Sequence, residues 1–240
     1  MDLDFIDFLN GTFSLIIVII FTILGLKIVL RYFKVKNRQV LYAGIFWTGL
    51  AEPWYGSAFS FLCYLITGQG LPPEPYMLIA NIGIPFLIST WITAVTDLVY
   101  QKHHKIIRII FAIYGIIFEI YLFYFIITDI SMIGELQGVV DVAWVGFVRI
   151  YLISLIVILA ITGTLFSKEL LRSENPENRF KGKLILIAFW AYCIGGVLDT
   201  GLPVNPLTLI LSRTIVISSS IFFYLGFLLP QFIRNRLFPE

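Results

Sequence analysis

The stretch TFSLIIVIIFTILGLKIVL, residues 12–30, carries one charge, Lys27, and apolar side chains at nearly every other position. A run of this length and composition matches the roughly 30 Å hydrocarbon core of a bilayer when wound as an α-helix. Spanning strands are excluded, because an open sheet edge would leave amides unsatisfied in lipid. Three aspartates, Asp2, Asp4 and Asp7, precede the run instead of a basic region, and no small-residue cleavage site follows, so it does not read as a removable signal peptide.

Working outward from this run, the rest of the 240 residues repeats the pattern. Further apolar runs cover about 40–66, 76–99, 106–128, 142–166, 184–200 and 207–229, which gives an all-α bundle of seven transmembrane helices in one domain, residues 1–240. Hydrophobic residues make up 59% and charged residues 13%, with mean hydropathy +0.91. A soluble domain carries about 25% charged residues, so this chain has too little polar surface to face water all round. Lipid is its expected solvent and a cell membrane its expected place. Pro53 and Pro85 lie inside the second and third runs and mark candidate kinks. Gly/Pro-rich loops follow the second run (67–75) and the sixth (201–206). Phe46-Trp47 and Phe189-Trp190 stand upstream of these two similar loops, a faint sign that helices one to three are duplicated as five to seven.

Charge fixes an expected orientation. Fifteen of the 17 lysines and arginines fall in the turns after the first, third and fifth runs or in the tail. The other set of loops and the N-terminus hold Asp2, Asp4, Asp7, Glu74, Asp129, Glu135 and Asp141, with no lysine or arginine. Basic loops stay in the cytoplasm, so the N-terminus is expected outside and the C-terminus inside.

The two remaining cations, Arg149 and Arg213, lie inside apolar runs, as do Glu52, Glu119 and Asp199. Ionisable groups in lipid are costly and mark candidate sites. By helical rise, both arginines fall roughly 10 Å below the outer surface. Each is expected to contact carboxylates from Asp199, Glu119 and Glu52, because an unpaired charge in low dielectric is strongly unfavourable. Tyr55 shares a helical face with Glu52, and Ser220 shares one with Arg213. Glu52, Tyr55, Glu119, Arg149, Asp199, Arg213 and Ser220 are therefore the candidate ligand-binding residues of an outward-facing polar pocket, which a structural ion-pair network would also explain. Asp97 reads as an interface residue. His103-His104 lies in a basic loop without an acidic or thiol neighbour, and Cys63 and Cys193 sit in apolar runs, so no metal, disulfide or cofactor is expected. Trp54, Trp91, Trp144 and Trp190 read as packing or interface anchors.

Three seven-helix families can be compared on motifs. Microbial rhodopsins need a lysine in the last helix, where this chain has Arg213 and Ser218-Ser219-Ser220. G-protein-coupled receptors carry an acidic-Arg-aromatic signature after helix three, where this chain reads Thr96-Asp97-Leu98-Val99-Tyr100. Over the last quarter, Arg179-Phe-Lys-Gly-Lys183, the sixth run and the segment from Asp199 to Pro206 resemble the N-terminal seven-transmembrane sensor regions of histidine kinases. That resemblance implies a signal-receiving membrane domain with no catalytic residues. Because the chain ends soon after the last run, a stand-alone version would require a separate cytoplasmic signalling partner. A small polar or amphipathic ligand is the expected binding partner, and no nucleic acid is expected. The alternative is a small-solute transporter of the three-plus-one-plus-three repeat type, which the weak duplication resembles. A membrane-embedded enzyme ranks third, with Glu52 and Tyr55 as the available acid–base pair.

Overall fold

The computed structural model describes residues 3–201 and 205–238. The chain is almost entirely helical: α1 (Phe5–Val35), α2 (Arg38–Gly49), α3 (Tyr55–Thr67), α4 (Pro73–Ile79), α5 (Ile84–Leu98), α6 (His104–Thr128), α7 (Gly146–Leu171), α8 (Pro176–Gly201), α9 (Pro206–Leu228) and α10 (Gln231–Leu237). A two-stranded hairpin, β1 (Gly134–Gln137) and β2 (Asp141–Trp144), joins α6 to α7. Among the described residues, six helical segments are long and apolar enough to cross a membrane: α1, α4 with α5, α6, α7, α8 and α9. Their outward faces are apolar as well. Along α6, Ile109, Ile113, Ile116 and Ile120 are all exposed, a surface suited to lipid.

The ends of the helices follow from local sequence. Asp4 caps α1 through the N–H of Asp7, and Lys36 closes it in a left-handed conformation with its N–H on the Tyr32 carbonyl. Asn205 and Thr208 form a reciprocal capping box at α9, with Pro206 in the first turn. Several boundaries differ from the sequence expectation: α1 runs from Phe5 to Val35 rather than over 12–30, and α7 ends at Leu171 rather than 166. The fifth run starts its helix at Gly146 rather than Val142, because its first residues are drawn into β2. The sixth helix begins at Pro176, a full two turns before Leu184, since the basic segment ahead of it is helical too. The second run is interrupted by a tight 3-10 turn, Glu52–Trp54, and the third by a break between Ile79 and Ile84. The loop at 201–206 lies partly outside the described residues.

α1 and α2 approach closely because both present glycine at the crossing. A Cβ on Gly44 would stand 2.7 Å from the backbone nitrogen of Val29, and one on Gly25 would stand 2.2 Å from Thr48 Oγ1. The centre of the bundle is aromatic. Trp47 stacks on Phe223 at 3.5 Å between ring centroids and on Phe21 at 5.5 Å. Trp91 stacks on Phe46 at 4.8 Å and donates its indole N–H to Thr162 at 2.9 Å. Phe46, Trp47 and Phe189 thus meet inside, whereas Trp190 is exposed and bonds Thr164.

Candidate functional site

The two helix breaks lie against each other, and a side chain of the first satisfies the backbone of the second. A broken helix inside lipid frees carbonyls on one side of the break and amides on the other, and each must find a partner. The Leu50 carbonyl, freed as α2 ends, accepts the Tyr192 hydroxyl of α8 at 2.9 Å. The Gly83 amide, freed at the start of α5, donates to the Glu52 carboxylate, while the Ile84 amide donates to the Asn81 carbonyl at 3.2 Å. A carboxylate at a helix N-terminus also meets the favourable end of the helix dipole. Glu52 is 3% exposed, so its role is that of a buried helix cap.

Above these breaks lies a cavity of about 420 Å3. Leu87 and Ile88 of α5 and Leu155, Ile156 and Leu159 of α7 line its apolar depth. Asn10, Trp54, Arg149, Tyr192, Asp199 and Arg213 bring polar groups to its wall, and the hairpin roofs it through Gln137 and residues 141–144.

Arg213, 5% exposed, is the hub of the wall. Its Nε donates to Asp199 Oδ1 at 2.7 Å, Nη1 to Ser14 at 3.1 Å and Nη2 to Asn10 at 3.0 Å. The guanidinium lies 5.4 Å from the centroid of the Trp54 ring. Asp199 is saturated in turn: Ser212 donates to Oδ1 at 3.1 Å and Trp54 Nε1 to Oδ2 at 3.1 Å. Thus one ion pair binds α1, the Glu52–Trp54 turn, α8 and α9 together. Planar, five-donor geometry is what allows a single arginine to do this.

The hairpin is pinned by side chains from three helices. Asp7 of α1 lies against the Gly138 turn, Ser60 of α3 donates to the Val139 carbonyl at 2.6 Å, and Tyr76 of α4 donates to the Val140 carbonyl at 3.1 Å. Gly138 takes φ +74° at the start of the turn, a conformation that only glycine adopts freely. Asp141, half-buried on β2, has its carboxyl pushed above the ordinary carboxylate range by burial, with Arg213 opposing that shift.

Of the candidate residues read from sequence, Arg149, Asp199 and Arg213 line the cavity. The others face elsewhere. Glu52 caps α5. Tyr55 leans back on the Thr48 carbonyl at 3.5 Å. Ser220 is fully buried and bonds the Ile217 carbonyl at 2.9 Å within its own helix. Glu119 lies on α6 with one buried oxygen that has no hydrogen-bond partner, near enough to act electrostatically on Glu52.

The expected pairing of Arg213 with Asp199 is present. The expected pairing of Arg149 with a carboxylate is not, because α7 begins at Gly146 and so places Arg149 in its first turn, exposed, rather than deep in the bundle. Its guanidinium has no ion-pair or hydrogen-bond partner among the described residues. Asn10 and Ser14 escaped notice as site residues. Their only signal is a polar pair at i and i+4 near the start of an apolar run. No group of three or more metal-ligating side chains occurs among the described residues. No protein-family model, curated protein or solved structure matches the chain.

Proposed function

We propose that the chain is a sensor- or receptor-like membrane protein with seven crossings and its N-terminus outside, and that it binds a small amphipathic molecule in the roofed cavity. The seventh crossing is the pair α2 and α3, continuous through the Glu52–Trp54 turn, each half too short to span alone. Retention of lysines and arginines on one side supports the orientation. The observation that carries the binding reading is the cavity itself, apolar in depth with a few convergent polar groups under a separate roof. Small-molecule sites have this composition and a volume of roughly 300–1,000 Å3. Occupancy would be felt by α8 and α9 through Asp199 and Arg213, and so at the basic end, where a cytoplasmic signalling partner would read it.

Gly196 supplies the test. It lines the cavity, and a Cβ there meets nothing closer than Ile156 at 3.7 Å. Gly196→Leu therefore fills the space with little strain. In a thermal-shift screen of purified full-length chain against amphipathic carboxylates, amines and alcohols, the wild type is expected to be stabilised by at least one class and Gly196→Leu by none. Equal shifts in both proteins would remove the cavity as the site.

The two facing helix breaks favour a second reading, a small-solute transporter, since discontinuous helices are a recurrent device of such proteins. Solute flux into proteoliposomes that disappears in Gly196→Leu, which fills the cavity with little strain, would select it over sensing.

A further inference from the structure

We infer that the cavity takes a single aliphatic chain of roughly a dozen carbons bearing an anionic head group, with the head at Arg149 and the chain lying along α7. This deepens the ligand-binding reading and rests on it.

The charge of the head follows from what each polar wall group has left to give. Arg213 is committed on three sides, and both oxygens of Asp199 are occupied. Asp141 accepts the Val142 N–H at 2.9 Å and, as an acid, brings no positive charge. Arg149 alone among these brings a positive charge with no partner among the described residues. An arginine beside an apolar cavity, in the first turn of a helix whose dipole has the same sign, calls for a carboxylate or phosphate.

The shape of the tail follows from the helix. Arg149, Leu152, Leu155, Ile156 and Leu159 all line the cavity, at i, i+3, i+6, i+7 and i+10 of one face. From Arg149 to Leu159 the helix rises about 15 Å, the length of an extended chain of about twelve carbons. Leu87 of α5 also borders this track. A polar end and a long apolar track in one cavity match an amphiphile better than a compact polar solute.

The same chemistry could come from a free fatty acid or from an anionic lipid of the bilayer, and the experiment separates them. Full-length chain in phosphatidylcholine nanodiscs is titrated with 12-bromododecanoate and, separately, 12-bromododecyltrimethylammonium. Quenching of tryptophan fluorescence is the readout, since Trp54 and Trp144 line the cavity. Saturable quenching by the carboxylate is expected, weakened about tenfold or more in Arg149→Gln and abolished in Gly196→Leu. Arg149 is exposed and unpaired, so Arg149→Gln should unfold at the wild-type temperature.

Unchanged carboxylate affinity in Arg149→Gln, or preference for the ammonium probe, overturns the anionic assignment and leaves the cavity reading standing. No saturable quenching by either probe overturns both. Mass spectrometry of lipid carried through purification assigns the source. An anionic lipid enriched on the wild type and lost from Arg149→Gln supports the bilayer, whereas dodecanoate binding without such a lipid supports a free acid.

Discussion

Both ends of the bundle hold ion pairs, and they differ in what surrounds them. At the hairpin end, Arg213 and Asp199 show side-chain exposures of 6% and 14% and are wrapped by Asn10, Ser14, Trp54 and Ser212. At the basic end, Arg108 pairs with Asp97 and Arg172 with Glu169, with exposures from 31% to 75%, and Lys181 and Arg234 share Glu177, itself 17% exposed. A buried pair must be held with near-complete hydrogen bonding, because desolvation of each ion is large. An exposed pair is worth little and can be exchanged for another partner. The molecule therefore has one locked end, which frames a cavity, and one looser end, where the Arg108–Asp97 and Arg172–Glu169 pairs stand more open to solvent.

The sharpest way to break this contrast is to remove the hub. Arg213→Met leaves Asp199 buried without its cation and releases Asn10 and Ser14, while Trp54 keeps its bond to Asp199 but loses the guanidinium near its ring. Breaking a buried pair from one side costs about 3–5 kcal/mol, so a large fall in thermal unfolding temperature is expected. Arg213→Lys should recover only a part, since an ammonium lacks the fork that reaches three elements. Equal stability of Arg213→Met and wild type would mean that the locked end is not locked by this pair.

A smaller effect tests the roof. Tyr76 donates to the Val140 carbonyl and shares a 2.8 Å hydrogen bond with Ser57. Tyr76→Phe leaves both groups short of a partner inside the protein, at about 1–3 kcal/mol. Hydrogen exchange at the Val139 and Val140 amides should quicken more than exchange in α8 and α9. If it slows or stays the same, the hairpin is held by its strands rather than by the helices beneath it.

How much of this was legible beforehand depends on whether the partner of each residue leaves a trace in the sequence. The apolar runs announced the helices, because a continuous apolar stretch of about 20 residues satisfies its backbone in lipid as a helix, whereas a barrel strand alternates apolar and polar positions. Arg213 announced Asp199, because a charge in low dielectric needs an opposite charge nearby. Glu52 announced a role but not its partner, since backbone amides freed by a break in another helix have no residue identity. Pro53 and Pro85 pointed to kinks, yet the full interruptions depend on Tyr192 and Glu52 supplying the missing hydrogen bonds. The hairpin was invisible because Val139, Val140, Val142 and Trp144 are as apolar as the helix that follows. Only Gly138 and Asp141 punctuate them.

Next in size is a pH effect at the roof. Burial raises the folded-state pKa of Asp141, with Asp199 and Asp7 adding to the rise and Arg213 and the Val142 amide opposing it. A carboxyl whose pKa is higher folded than unfolded destabilises the fold when ionised. Its penalty is absent at pH below the ordinary carboxylate range and grows as pH rises through the folded-state value. Asp141→Asn should therefore unfold at a higher temperature than wild type at neutral pH and at the same temperature in acid. A gain that is independent of pH would assign the effect to packing rather than charge.

The smallest effect belongs to the loose end. Arg108 reaches Asp97 from the start of α6 and also donates to Thr96 Oγ1 at 3.0 Å, so losing the carboxylate leaves the guanidinium a partner and access to water. Asp97→Asn should cost about 0.2–1 kcal/mol, shrinking further as salt screens the pair. The salt dependence is the informative part. The buried Arg213–Asp199 pair is shielded from ions, so the Arg213→Met deficit should hold between low and high salt while the Asp97→Asn deficit fades. If both deficits fade together, salt reaches the cavity wall. Arg213 would then sit in water rather than in a desolvated network.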